Sequence, residues 1–209
     1  MEREISHGEV PLSSEDKEAV RAGIRRKYAG VAITPEGNFR YPTGRAGLEA
    51  LRYPSEILEK LPESVVASYC GVGNPFSLGP VRRGDLVLDV GCGAGVDTLV
   101  AAIMTGASGK AAGVDLVEHM LAKARENLER TGLHNVRFYN ASGEELPFED
   151  KSFDLVISNG AFNLIVEKAK AIEEAFRVLK PNGRLMIADQ VLTGVQPNDA
   201  KSIVESWSK

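Results

Sequence analysis

The stretch Val87-Leu88-Asp89-Val90-Gly91-Cys92-Gly93-Ala94-Gly95 constrains the fold more than any other part of the chain. Val87 to Val90 has the apolar, β-branched character of a strand buried on both faces. It runs straight into three glycines at alternate positions, and a helical pattern begins behind them. A strand, a glycine turn and a helix in direct succession bring bare backbone and a positive helix end to one point, a place suited to a ligand. The dinucleotide fingerprint G-x-G-x-x-G sets its third glycine one residue later, where this chain has Val96. The bland alternative is a turn kept tight for packing alone.

The same strand–helix grammar repeats downstream. Strands are predicted at 86–90, 110–115, 136–139, 153–158 and 184–188. A helix over 95–105 turns Val96, Leu99, Val100 and Ile103 inward, and one after Asp115 uses Met120, Leu121, Ala124 and Leu128. A third, over 166–179, puts Ile172, Phe176 and Leu179 inward. Such units predict an α/β fold, a Rossmann-like, doubly wound, mostly parallel sheet that binds ligands beyond the carboxyl ends of its strands.

The first third lacks a buried-strand pattern. Residues 1–12 read as a frayed end, and Ser13 or Ser14 caps a helix over 15–29 with Val20, Ile24 and Tyr28 on one face. Residues 30–53 are rich in Gly, Pro and Thr and read as turns, followed by short helices at 55–61 and 63–68. The division expected is a helical lid over 1–79 and a ligand-binding core over 80–209.

Composition excludes several classes. No apolar run nears the ~20 residues of a membrane span, and no signal-peptide core follows Met1-Glu2-Arg3-Glu4. The net charge of −4 and the lack of a basic cluster argue against a nucleic-acid partner. Arg25-Arg26-Lys27 reads as a solvated helix face. Cys70 and Cys92 have no metal-ligand spacing and no disulfide is expected of them, so the chain is read as cytoplasmic, without membrane or metal.

The tighter G-x-G-x-G after an acidic strand resembles the first motif of S-adenosylmethionine (SAM) methyltransferases. Asp115 ends the second strand, where its carboxylate can accept from both ribose hydroxyls of an adenosine or cap the following helix. Leu116 and Met120 offer apolar surface to an adenine, with core packing the other role for Met120. Ser142, Gly143 and Glu144 form the loop after the third strand, within reach of the adenine amine. Asp97 suits the helix dipole or the amino group of a bound methionine moiety. Asn159 ends the fourth strand, placed to meet the sulfonium. With Asp89, Gly91, Gly93 and Gly95, these are the candidate cofactor-binding residues. No catalytic base emerges; His119 and His134 read as surface residues, and Tyr28 either closes over the sulfonium or packs in the core.

As a set, Val87–Gly95, Gly113-Val114-Asp115, Glu144-x-Leu146-Pro147-Phe148, Phe153-Asp154 and Arg177-Val178-Leu179-Lys180-Pro181-x-Gly183-Arg184 resemble a class I SAM-dependent methyltransferase over roughly residues 80–190. The flanks Arg25–Ala29, Leu61-Pro62-Glu63, Gly71–Pro75 and Ser158–Leu164 are similar to the arsenite methyltransferase family, which methylates trivalent arsenic held by cysteine thiolates. In that family one thiol falls where this chain has Val72 and another where it has Gly160. A third follows a tryptophan like Trp207 by three residues, beyond Lys209. Soft As(III) needs thiolates, so arsenite methylation is not expected. Ser142 also departs, standing where related methyltransferases commonly put an acid against the adenine amine.

The family fold has seven strands; five are predicted here, followed by a helix over 198–207 carrying Ile203, Val204 and Trp207. The open edge of the fifth strand therefore implies either a shortened chain or a second chain covering that edge, as in a homodimer through the edge and Trp207. The resemblance implies methyl transfer from SAM, leaving S-adenosyl-L-homocysteine (SAH), to an unidentified small-molecule acceptor. The alternative is a non-catalytic or shortened SAM-binding protein, and a NAD-binding oxidoreductase stands third.

Overall fold

A computed structural model describes residues 12–191 and Ser202. The first helix, α1 (Ser14–Val31), starts at a reciprocal cap in which Asp16 N–H donates to Ser13 Oγ and Ser13 N–H donates to the Asp16 carboxylate. Three short helices follow, α2 (Gly44–Ala50), α3 (Ser55–Leu58) and α4 (Glu63–Val66). The α/β part then runs β1 (Leu86–Val90), α5 (Val96–Thr105), β2 (Lys110–Asp115), α6 (Glu118–Glu129), β3 (Val136–Asn140), β4 (Phe153–Asn159), α7 (Lys168–Val178) and β5 (Leu179–Ala188).

The five strands form one parallel sheet in the order β3-β2-β1-β4-β5, the doubly wound arrangement expected. The chain reverses its direction of travel across the sheet between β1 and β4, so a crevice opens beyond their carboxyl ends. Alternation along the strands builds a core on each face. Val87, Ala111, Leu155 and Ile157 pack with α5, whereas Leu88, Val90, Ala112, Val114 and Val156 pack with Ala171, Ala175 and Val178 of α7. The N-terminal helices share the first of these cores, since Leu48, Leu58, Leu61, Val65 and Val66 are buried with Leu99 and Val100. α1 closes a third cluster in which Val20 and Ile24 meet Val117 and Met120.

The structure corrects three expectations. Phe176 is 69% exposed, and the buried positions of α7 are Ala171, Ala175 and Val178, one residue out of phase with the predicted face. Small alanines let the helix lie close on the sheet, and that closeness outweighs the area of the larger side chains. Residues 44–50 are helical although two of them are glycines, because Leu48 is fully buried and Gly47 lies against the Pro42 carbonyl. Tertiary packing overrides the weak helix propensity. β5 begins at Leu179 rather than Arg184, with an irregularity in its pairing opposite Phe153 and Leu155.

Among the described residues β5 pairs with β4 alone, so its outer edge presents unpaired backbone. The frayed end, the helix over 198–207 and Trp207 lie outside the described residues, apart from Ser202. No helix among the described residues is long and apolar enough to cross a membrane.

Candidate functional site

The carboxyl ends of β1, β2, β3 and β4 open into one cavity of about 1060 Å³, part of it open to solvent. Asp89, Gly91, Gly93, Asp97, Asp115, Leu116, Met120, Ser142, Gly143, Glu144 and Asn159 all line it. Gly95 does not. It caps α5 in a left-handed conformation (φ 81°), and a Cβ there would reach within 2.6 Å of the Phe138 ring. A side chain there would break the close packing of α5 on the sheet.

Three carboxylates, Asp89 and Asp97 buried and Asp115 half-buried, face the cavity with neutral donors alone as hydrogen-bond partners. Asp89 Oδ2 accepts from Thr98 Oγ1 at 2.7 Å. Asp97, in the first turn of α5, accepts from Tyr53 OH at 2.7 Å and from Asn159 Nδ2 at 2.9 Å. Asp115 accepts from Gly93 N–H and Val117 N–H, each at 2.8 Å, which pins the glycine turn to the end of β2. Each oxygen keeps acceptor capacity to spare. Burial pushes all three carboxyls up, Asp97 to about 6, and the charges of Asp97 and Asp115 push Asp89 further. Among the described residues no lysine or arginine is paired with any of them.

The outer wall differs. Arg21, Ile24 and Tyr28 descend from α1 at helical spacing to line the cavity. Arg21 Nη2 donates to Glu144 Oε2 at 2.7 Å, Glu167 N–H donates to Glu144 Oε1 at 3.0 Å, and Lys17 pairs with Glu167. The Glu144 carboxylate is thus held by α1 and by the start of α7, while Ser142 Oγ accepts from Glu144 N–H at 3.1 Å. Val20, Ile24 and Tyr28 share a face as expected, and Tyr28 lies at the cavity with its phenol pushed up by burial. His119 and His134 are exposed, as expected, and so are Arg25 and Arg26.

Val72 and Gly160, the two positions at which the resemblance to arsenite methyltransferases implies thiols, face one another. A Cβ on Gly160 would lie 3.2 Å from a Val72 methyl. Cys70 lines the cavity nearby, and burial, with Asp115 and Asp97 adding to it, pushes its thiol up to about 12. A protonated thiol is a poor soft-metal ligand. Among the described residues no group of His, Cys, Asp and Glu is arranged to hold a metal ion.

Sequence reasoning missed Arg21, Tyr53 and Tyr69. Arg21 had a signal, since it falls three residues before Ile24 and seven before Tyr28. The two tyrosines carried none, because their partners lie on other elements.

Residues 82–209 match the family model of the methyltransferase domain. The chain belongs to the class I methyltransferase family. It is 33% identical to an arsenite methyltransferase of Halobacterium salinarum, over 92% of this chain and 53% of that one. It is also 40% identical to a ubiquinone/menaquinone biosynthesis C-methyltransferase of Escherichia fergusonii, over 62% of this chain and 48% of the other. Among solved structures it resembles an arsenic(III) S-adenosylmethionine methyltransferase from Chlamydomonas reinhardtii, with TM-score 0.55 and 35% identity over 71% of this chain and 50% of that one. A SAM-dependent methyltransferase from Aquifex aeolicus is similar with TM-score 0.53 and 26% identity, covering 78% of this chain and 86% of the other. The methyltransferase chain spans about half the length of the curated relatives it matches.

Proposed function

We propose that this methyltransferase binds SAM and transfers its methyl group to a small-molecule acceptor other than trivalent arsenic. The observation that carries the reading is the gathering of three carboxyls, Asp89, Asp97 and Asp115, around one cavity with only neutral hydrogen-bond donors as partners. Buried carboxylates without a cation are costly, and a ligand bearing an ammonium and a sulfonium relieves that cost. A pyrophosphate has the opposite sign. Asp97 stands in the first turn of α5, where a dinucleotide would need its phosphates, so the charge pattern disfavours NAD as the glycine spacing does.

On this reading Asp115 accepts from the ribose hydroxyls, Leu116 and Met120 flank the adenine, and Asp97 accepts from the ammonium. Ser142 is the neutral acceptor offered to the adenine amine, Glu144 being engaged by Arg21. The bound cofactor supplies an activated methyl group and a thioether leaving group. The chain's own contribution is to orient donor and acceptor and exclude water, a positioning effect of up to about 7–11 kcal/mol. Tyr28 and the Tyr53–Tyr69 pair keep their protons, because burial pushes each phenol up. They serve as hydrogen-bond donors and ring surfaces rather than bases.

Val72, Gly160 and the protonated Cys70 support an acceptor that is not held by thiolates. Titration calorimetry tests the cofactor reading directly: SAM and SAH are expected to bind at micromolar concentration and NADH not at all. NADH binding in the absence of SAM binding would overturn it. A radiolabelled-methyl screen across metabolite pools then finds the acceptor, and SAH binding with no labelled product in any pool would favour the non-catalytic alternative.

A further inference from the structure

Asn159 joins the end of β4 to a loop distant in sequence. Its Oδ1 accepts from Val72 N–H at 2.9 Å and Gly73 N–H at 3.0 Å, while its Nδ2 lies 2.8 Å from Gly73 O and 2.9 Å from Asp97 Oδ2. The loop has no independent freedom around this amide: a Cβ on Gly71 would overlap the Asn159 side chain. Two further acceptors compete for the same Nδ2, Tyr69 OH at 3.1 Å and Tyr53 OH at 3.3 Å. An amide has two hydrogens, so not all four contacts are satisfied at once. Tyr53 OH meets a similar choice between Asp97 Oδ1 at 2.7 Å and Gly73 O at 3.2 Å, and Tyr69 OH donates to Gly73 O at 2.8 Å. Asp97 and the Gly73 carbonyl therefore draw on one small pool of protons.

We infer that Asn159 is a positioning residue that couples occupancy at Asp97 to the order of the 69–73 loop, the wall carrying Cys70 and Val72. A cationic group bound at Asp97 shares the charge of that carboxylate and weakens its hold on the Asn159 and Tyr53 donors. Those donors then turn toward Gly73 O, and the loop tightens against the end of β4. Val72 faces Gly160 through the same loop, so cofactor occupancy and the shape of the neighbouring wall are set together. The inference rests on the cofactor reading above, through the ammonium assigned to Asp97.

Hydrogen exchange with two ligands tests it. SAH carries the amino-acid portion; 5′-methylthioadenosine keeps the adenosine and thioether and lacks it. In the wild-type chain SAH is expected to slow exchange across 69–73 by about tenfold or more, and 5′-methylthioadenosine to protect 115–121 without slowing 69–73. Protection of 115–121 by SAH with no effect on 69–73 would overturn the coupling, as would equal protection of 69–73 by both ligands. Failure of either ligand to protect 115–121 would instead overturn the cofactor reading itself. Asn159→Ala, compared at SAH concentrations raised until 115–121 is protected as in the wild-type chain, is expected to show exchange at 69–73 that no longer depends on SAH, and persistent SAH-dependent protection of 69–73 would refute the role of Asn159. If the variant lacks a cooperative thermal transition, the two-ligand comparison on the wild-type chain decides.

Discussion

The two sides of the cavity treat carboxylates in opposite ways. Under α1, Glu144 meets Arg21 and Glu167 meets Lys17, so each acid has a cation supplied by the protein. At the sheet end Asp89, Asp97 and Asp115 accept from hydroxyl, amide and backbone donors only. Glu144 lines the same cavity as Asp89, Asp97 and Asp115, yet of the four it alone is paired with a cation. Compensated charge fastens α1 to the rest of the chain. Uncompensated charge destabilises the empty protein and is recovered when a cation arrives, which is the arrangement expected of a binding site rather than of a packed core.

The largest consequence is in the pH dependence of stability. The Asp97 carboxyl is raised by burial from 3.8 to about 6. A group whose folded pKa is raised contributes stability that is complete below its unfolded value and lost as pH rises through the folded one. The ligand-free protein should therefore lose up to about 3 kcal/mol between roughly pH 4 and pH 6 through this group. Asp89, shifted in the same direction, extends the loss to higher pH. Thermal denaturation across this range checks it, and saturating SAH should flatten the slope. An empty protein whose stability rises steadily from pH 4 to pH 7 would show that the three carboxylates are compensated after all.

Much of the sheet end was legible in the sequence because its signals are local. The glycine turn, the strand before it and Asp115 at the next strand end lie in one strand–helix–strand segment, and a two-residue period fixes which side chains face the crevice. The lid side was not legible for the same reason in reverse. Arg21 meets Glu144 across 123 positions and Tyr53 meets Asp97 across 44, and no pattern within a helix or strand announces either pair. Phe176 failed differently. Its helix has one stripe of large apolar residues and one of alanines, and hydrophobicity alone chose the large one, whereas contact with the sheet chose the small one. At Gly95 the sequence shows the glycine but not its neighbours: a side chain there would run into Phe138 and Ala124.

The second break in the comparison is at Asp97 itself. Asp97→Asn removes the charge while keeping the size and one acceptor, and SAH affinity should fall about 30- to 100-fold, corresponding to about 2–3 kcal/mol for a charge-assisted hydrogen bond. Glu144→Gln, on the compensated side, should change affinity much less. Calorimetry on the two variants reads this difference. Equal losses would mean that both acids serve the ligand alike, and the distinction between the two sides would be gone.

The smallest effect is the most specific to the lid. Arg21→Met keeps much of the apolar stem but leaves the Glu144 carboxylate with the Glu167 N–H at 3.0 Å and no cation. Because the Arg21 side chain is a quarter exposed (25%) and Glu144 nearly buried (11%), the loss should be about 1–2 kcal/mol, below that of a fully buried pair. Adding Glu144→Gln to Arg21→Met should return most of it, since the double variant has no carboxylate left buried without its cation. That recovery is a coupling energy, and a double-mutant cycle in urea measures it. Strictly additive losses would mean that Arg21 stabilises α1 through its stem alone. The lid would then be fastened by packing at Val20 and Ile24, and the ion pairs beneath it would be incidental.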